Sequence, residues 1–303
     1  MNYKNIIKSR STRIKLLRLL SFVPDQAMLK FQYRIYLGRK LNLKNPQRFT
    51  EKIQWYKLNY KNPELISCVD KYEVRKYLSD RGFSEILTED YGVYDNAEQI
   101  DFESLPESFV LKDTLGGGGN AVIIVKNKAD ADWNALKVRM NDWCSTPTKK
   151  DNGREWPYYS GKNHRIFIEE YLDEPEGLND YKFFCFNGRT EFIYFVSERK
   201  LGVNGKFHIL DRNFNDTGVI RVGDEPGETV LKRPEHYDEM LRTAEKLAVP
   251  FPHVRVDLYE YKGEIRFGEL TFYNASGYMR YEPDSFDYEV GEKFVLPEIR
   301  GGV

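Results

Sequence analysis

Four consecutive glycines between two apolar runs, FVLKDTLGGGGNAVIIV at residues 109–125, constrain this chain more than any other stretch. Phe109, Val110 and Leu111 lead in, and Val122, Ile123, Ile124 and Val125 lead out, so the segment reads as two short strands joined as a hairpin. Gly116, Gly117, Gly118 and Gly119 are more than a tight turn requires. Without Cβ atoms the loop can bring backbone N–H groups close to phosphate oxygens, at little conformational cost. Lys112 on the incoming strand stands where it adds a point charge. Taken alone, the segment is explained equally well as a flexible hairpin loop with an incidental lysine. Two other phosphate loops are excluded: no Lys-Ser or Lys-Thr follows the glycines as in GxxxxGK[ST], and no GxGxxG opens a helix.

The 303 residues, 41% hydrophobic and 31% charged, describe a globular chain able to bury one large core or two to three smaller ones. No run approaches the roughly 18–20 uncharged apolar residues that span a bilayer. Lys4, Lys8, Arg10, Arg13, Lys15 and Arg18 interrupt any signal-peptide core, so a cytoplasmic location is expected. Cys68, Cys144 and Cys185 lack CxxC spacing and read as buried structural thiols. His164, His208, His236 and His253 are isolated, without HExxH pairing or a GxSxG elbow, which argues against histidine-centred catalysis.

Net charge is −1, but residues 1–48 carry 12 Lys or Arg against the single acid Asp25, which is +11 and leaves −12 for the remainder. Such asymmetry points one end of the chain at an anionic surface. Ile6, Ile7, Ile14, Leu16, Leu17, Leu19, Leu20, Phe22 and Val23 alternate with the bases at helical spacing. The basic amphipathic helix this describes either docks on the protein body or lies on an anionic membrane through residues 1–22. Nucleic acid is not expected, because the nearby aromatics pattern as core rather than as a stacking platform.

A helical region is predicted to about residue 80, including helices over 47–59 and 69–78, followed by β-rich chain from Tyr91 to Val125. Residues 129–143 place Trp133, Leu136, Met140 and Trp143 at helical spacing, and 145–163 reads as a polar loop. Strands return with RIFIEEYL and with YKFFCFNGRTEFIYFVSE, where Asn187-Gly188 is a strong hairpin signal. A helix around 237–247 precedes HVRVDLYEYKGEIRFGELTF, two strands about Lys262-Gly263. On this last hairpin Arg255 and Asp257 project from one face, and pairing about the turn sets Asp257 nearly opposite Glu269. Paired carboxylates repel unless a cation lies between them. Hard oxygen ligands with room for phosphate oxygens suit Mg²⁺, while structural ion pairs to Arg255 or Arg266 are the competing explanation.

The order of these features, DKYEVRKYL from Asp70, FVLK with its glycine loop, IEEYL, DYKFF and GELTF, resembles the ATP-grasp superfamily and within it the TupA-like branch. That branch is associated with teichuronopeptide and other surface polysaccharide synthesis, and the resemblance covers about residues 40–285. It implies an α+β fold in which two lobes grip ATP between antiparallel sheets, with a helical N-terminal extension. The divisions would be 1–80, a glycine-lid lobe at 81–165, and a C-terminal lobe with the metal hairpin at 166–303.

The resemblance also implies roles. Lys112 and Lys182 would reach nucleotide phosphates, and Gly116 to Gly119 would form the lid over them. Backbone groups around Glu170, Tyr171 and Leu172 would meet adenine, and Glu169 or Glu170 would bind a ribose hydroxyl. Asp257 and Glu269 would hold Mg²⁺, and Arg255 would face the transferred phosphoryl group. Many relatives carry Asn two residues after the metal glutamate, where this chain has Thr271, so the third ligand falls to Thr271, or to Asn274 if its loop folds back. The implied activity is an ATP-dependent carboxylate–amine ligase acting through an acyl phosphate. It would join an amine or amino acid to a uronic acid or other glycan carboxylate at the inner face of the plasma membrane. A sugar kinase, a glycosyltransferase and a non-catalytic nucleotide-binding scaffold are the competitors. The usual DxD of metal-dependent glycosyltransferases does not follow any apolar strand here.

Overall fold

Turn chemistry fixes how the long strands pair. In the computed structural model, which describes residues 20–117, 121–148, 153–174, 177–199, 205–227 and 231–298, Asn187 and Gly188 have φ of 49° and 77°, and Lys262 and Gly263 have 51° and 78°. Positive φ at both central residues matches the right-handed twist of the flanking strands. The first turn joins β5 (Leu178–Phe186) to β6 (Arg189–Arg199), and the second joins β10 (His253–Tyr261) to β11 (Glu264–Thr271). With β7 (Lys206–Asp211) and β9 (Glu225–Pro226) they form a six-stranded sheet in the order β11-β10-β5-β6-β7-β9. All its pairings are antiparallel except β7 with β9.

The glycine segment is the expected hairpin, with β2 (Phe109–Asp113) against β3 (Val122–Val125) and Lys112 opposite Val122. It joins β1 (Asp90–Tyr94) and β4 (Ile166–Glu170) in an antiparallel four-stranded sheet of order β1-β4-β2-β3. Residues 166–170, grouped with the C-terminal lobe in the sequence reading, therefore sit in the sheet of the preceding segment. One face of this sheet carries Phe109, Leu111, Ile123, Val125, Ile166 and Ile168, and helix α5 (Trp133–Cys144) covers it with Met140 and Trp143. Strand alternation sends Val110, Lys112, Phe167 and Glu169 to the opposite face.

The helices before residue 80 do not form a separate body. They are α1 (Asp25–Leu37), α2 (Phe49–Asn59), α3 (Glu64–Cys68) and α4 (Glu73–Ser79). Phe49, Ile53 and Tyr56 of α2 share one core with Phe184 and Phe186 on one face of the six-stranded sheet. The Phe49 ring centroid lies 5.3 Å from His253 and 5.6 Å from Phe186. The sheet's other face is covered by α6 (Tyr237–Ala248), which buries Met240, Leu241, Ala244, Leu247 and Ala248. A two-stranded ribbon, β8 (Ile220–Arg221) with β12 (Tyr281–Glu282), and α7 (Ser285–Lys293) complete the fold. Cys68 and Cys185 are buried, Cys144 is half-buried, and all three are free.

The N-terminus of α2 is closed by acids rather than by its own cap residue. Asp287 of α7 accepts the Thr50 N–H at 2.9 Å and the Thr50 hydroxyl at 2.8 Å. Glu51 accepts the N–H groups of Asn42 and Gln47 at 3.2 and 3.0 Å. The Thr50 contact meets an orphan donor of the helix, and both acids complement its dipole. Asp287→Ala leaves the buried Thr50 N–H unpaired, while the Thr50 hydroxyl keeps its contact with the Tyr33 hydroxyl at 2.8 Å. It should lower unfolding free energy by about 1–3 kcal/mol in urea titrations, and a change under about 0.5 kcal/mol would show that the contact does not hold the two ends of the chain together.

Candidate active site

Register builds one row of side chains across four strands of the larger sheet. Asp257 is the direct partner of Glu269 on β11 and of Lys182 on β5, and Lys182 in turn faces Tyr194 on β6. Direct antiparallel partners project to the same face, so the pair expected from the sequence is brought together, with Lys182 beside it.

Arg255, two residues from Asp257 on the same strand, closes this row into a charge network. Its Nε donates to Asp257 Oδ1 at 2.6 Å and its Nη2 to Asp257 Oδ2 at 2.7 Å. Nη2 also reaches Glu269, and Nη1 reaches the Asn274 amide oxygen. Lys182 donates to Asp180 at 2.6 Å and to Asp257 at 2.5 Å. The ion pair to Arg255, the competing explanation for these carboxylates, is thus present, whereas Arg266 pairs instead with Glu264. Among the described residues no group of three or more His, Cys, Asp or Glu side chains gathers as a metal cluster.

Burial lifts the Asp257 carboxyl above its usual range, against the pull of Arg255 and Lys182, and Glu269 and Asp180 add to the lift. Glu269 goes the other way. Burial opposes its charge, but Arg255, Lys182 and Lys71 outweigh that cost and hold it at about 2. The two facing carboxylates are therefore pushed apart, with Glu269 the more firmly ionised. Thr271 donates its hydroxyl to Glu269 at 2.9 Å. The loop after β11 does fold back: Ala275 and Ser276 adopt left-handed φ of 43° and 54°. Lys57 and Gln54 of α2 hold the Ser276 carbonyl at 2.8 and 2.9 Å. Asn274 thereby comes to lie 1% exposed beside Arg255.

The smaller sheet supplies the facing groups. Lys112 pairs with Glu169, which also accepts the Thr88 hydroxyl at 2.7 Å. The Glu170 N–H is engaged by the Glu89 carbonyl at 3.0 Å, and its carboxylate accepts the Glu89 N–H at 3.3 Å. Tyr171 and buried Leu172 follow, with Lys126 5.7 Å from the Tyr171 ring centroid. Gly116 and Gly117 are described, and Gly118 and Gly119 lie outside the described residues. A Cβ on Gly116 would come within 2.3 Å of Ala121 Cβ, so this first turn of the loop admits only glycine without rearrangement.

One residue of the site had no role in the sequence reading. Lys71, the second residue of DKYEVRKYL, donates its backbone N–H to Thr114 at 2.9 Å and its ammonium to the Gly116 carbonyl. Burial and neighbouring Lys112 push its ammonium below the usual range, against Glu269 and Asp113. Lys71 is thus within the field of both lobes. Asp70 beside it accepts the N–H groups of Tyr72 and Glu73 at 2.9 and 3.0 Å and pairs with Arg165 at 3.2 Å. The available signal was a charged dipeptide at a helix start. Only the fold shows that this helix start lies beneath the glycine loop.

An antiparallel sheet bearing a glycine-rich hairpin and a larger, mostly antiparallel sheet bearing paired carboxylates, with Lys71 in the field of both Glu269 and Lys112, define an ATP-grasp architecture. Residues 51–295 match the TupA-like ATP-grasp family, and the chain belongs to that family. Among solved structures, the D-alanine-D-alanine ligase of Bacillus anthracis complexed with ATP is 17% identical, with a TM-score of 0.41 over 68% of this chain and 55% of its own. The D-alanine-D-alanine ligase of Helicobacter pylori is 15% identical, at 0.44 over 83% and 70%. The N5-carboxyaminoimidazole synthetase of Staphylococcus aureus complexed with ADP is 12% identical, at 0.42 over 77% and 53%. The chain spans about half the length of the first and third of these. No curated protein matches the sequence.

Because Glu269 titrates at about 2 rather than its usual 4.5, its charge adds stability above about pH 4.5 that fades as pH falls toward 2. The stability difference between wild type and Glu269→Gln should therefore narrow over that window in urea titrations. A difference that stays constant across it would mean that Arg255, Lys182 and Lys71 do not hold the charge.

Proposed function

We propose that the protein is an ATP-dependent carboxylate–amine ligase. The observation that carries this reading is the convergence on one cleft of the Asp257–Glu269 pair with lysines contributed from both lobes. Lys71, Lys112 and Lys182 would take up triphosphate charge, and the Gly116–Gly119 loop would cover it. The Glu170 N–H is already engaged, so base recognition falls to its carbonyl and to the backbone of Tyr171 and Leu172. Glu169 already accepts from Lys112 and Thr88, which favours Glu170 for the ribose.

The donor set fits Mg²⁺. Two opposed carboxylates, one of them firmly ionised, offer hard oxygens, and this ion takes few protein carboxylates alongside phosphate oxygens and water. Asp257 and Glu269 would hold it, with a third oxygen from Thr271 or Asn274, and when bound it supplies charge neutralisation on the phosphates. Its seat requires Arg255 to give way between the two carboxylates. That frees the guanidinium to face the transferred phosphoryl group.

A substrate carboxylate oxygen then attacks the γ-phosphorus and ADP departs. An amine adds to the resulting acyl phosphate, expels inorganic phosphate and loses a proton to give the amide. Exclusion of water protects the mixed anhydride. By this reading the carboxylate belongs to a uronic acid of a capsular or cell-wall polysaccharide, including teichuronopeptide-type polymers, and the amine is an amino acid or similar compound.

ADP release from MgATP, with uronic acids and amino acids supplied singly and in pairs, tests the reading. ADP formation should require both a carboxylate and an amine, and Glu269→Gln should lower it by at least about a hundredfold. Lys71→Met should raise the KM for MgATP by about tenfold or more. A stable phosphorylated product formed without amine would instead make the enzyme a kinase. MgATP bound but never turned over would make it a scaffold.

We further propose that the protein works at the inner face of the plasma membrane. Among the described residues no helix is long and apolar enough to cross a membrane. Phe22 and Phe31 are 80% and 59% exposed, and Lys30 and Arg34 beside them are exposed too. The basic amphipathic segment read from the sequence precedes them, and its residues 1–19 lie outside the described residues. Deleting residues 1–22 should reduce co-sedimentation with vesicles containing anionic lipid, more strongly at low salt. Unchanged sedimentation would refute the membrane contact.

A further inference from the structure

The row of side chains that begins at Glu269 does not end at the charge network. Beyond Lys182 it continues to Tyr194 on β6 and Ile209 on β7. With strands about 4.8 Å apart, Tyr194 lies roughly 10 Å from Asp257 on the same face. There, between β6–β7 and the 212–227 segment, a cavity of about 190 Å³ opens, lined among others by Tyr194, Phe207, His208, Asp216, Arg221 and Asp224. It is smaller than the roughly 300–1,000 Å³ of drug-sized pockets and suits a single ring.

The lining is built rather than incidental. Arg221 stands 5.5 Å from the Tyr194 ring centroid and 5.4 Å from that of Phe207. Its Nε and Nη2 both go to Asp224 at 2.5 Å in a planar fork, which leaves Nη1 as a remaining donor group. Strand β8 carries Arg221 and is fixed by β12, and the Tyr194 hydroxyl meets that of Tyr281 on β12 at 2.6 Å. His208 is 7% exposed and binds Asp216 Oδ2 through Nδ1 at 2.7 Å, while its Nε2 has no partner. A Cβ on Gly227 would stand 2.0 Å from Nε2, so only glycine lets the chain pass over the buried ring edge and close this side of the cavity.

The mixture of groups selects the ligand. An anion would meet Asp216 and Asp224, and an ammonium would meet Arg221. A neutral hydroxyl, donor and acceptor at once, satisfies carboxylate and guanidinium together. We propose that this cavity binds a neutral, polyhydroxylated sugar ring. On the ligase reading, on which this last step rests, the ring is part of the carboxylate substrate, extended across Lys182 and Tyr194 from a reacting group at Arg255.

Saturation-transfer NMR on the full-length protein with D-glucose, D-galactose and N-acetylglucosamine, against glycine and acetate as charged controls, tests the cavity without turnover. At least one neutral sugar should show transfer. Val219→Trp, which fills the cavity from a lining position, and Asp224→Asn, which removes a charged acceptor, should each weaken its binding by about tenfold or more while MgATP affinity stays unchanged. Absence of transfer to every neutral sugar, or sugar binding untouched by both variants, would overturn the proposal. So would ammonium or carboxylate controls binding in place of the sugars. Sugar binding by a wild type that never forms ADP would keep the cavity and remove the ligase reading, so the two can fail separately.

Discussion

Arg255 is the group on which the cleft depends. One guanidinium touches Asp257, Glu269 and the Asn274 amide, and Lys182 holds Asp257 from the other side. Taking such charges out of water costs several kcal/mol each unless each finds its partners. No member of the set can therefore be buried alone. The same need explains why the chain tolerates consecutive left-handed residues at Ala275 and Ser276, a conformation that costs of order 1–3 kcal/mol per residue. Gln54 and Lys57 hold the Ser276 carbonyl and Glu155 takes its hydroxyl, which offsets that strain and delivers Asn274 to Arg255. The α2 helix is in this sense part of the site, although no atom of it lies in the row of charges.

A second dependence joins the lobes. Asp70 caps α4, which packs in the core of the six-stranded sheet, and also holds Arg165 at the entry to β4 of the other sheet. Lys71 bonds the chain on both sides of Leu115, at Thr114 and at Gly116. The base of the glycine hairpin is thus positioned by a helix of the opposite lobe. The hairpin's own strands are positioned by α5.

What could be read from the sequence was local or periodic. Asn187-Gly188 and Lys262-Gly263 specify two-residue turns, and a turn with strand alternation fixes register. Asp257 could therefore be set near Glu269 without a structure, although the turn alone puts it against Gly268, and a bulge at Gly268 that the pattern does not announce makes the pairing with Glu269 direct. Likewise Met140 and Trp143 declared the buried face of α5. Non-local pairing was less legible. Nothing in RIFIEEYL says that it inserts between β1 and β2, because that depends on which edges are free once both sheets exist. Lys71 was overlooked for the same reason, since a helix-start lysine is ordinary until a loop 45 residues away is folded over it. The cavity beside Tyr194 needs a two-residue ribbon between β8 and β12, too short to leave a periodic signal.

The charges in the cleft are paired with one another before any ligand arrives. Lys112 is matched by Glu169, Lys182 by Asp180 and Asp257, and Arg255 by Asp257 and Glu269. A triphosphate entering alone would gain Lys112 and Lys71 on one side but meet Asp257 and Glu269 on the other, at a depth where water screens little. A divalent cation entering alone would meet Arg255 already lodged between the two carboxylates. Together the two ligands exchange partners with the network. Asp257 and Glu269 would hold the cation and Arg255 would face the phosphates, while Lys182 would keep its pair with buried Asp180. On the ligase reading, selectivity for the metal–nucleotide complex over either component follows from that pairing.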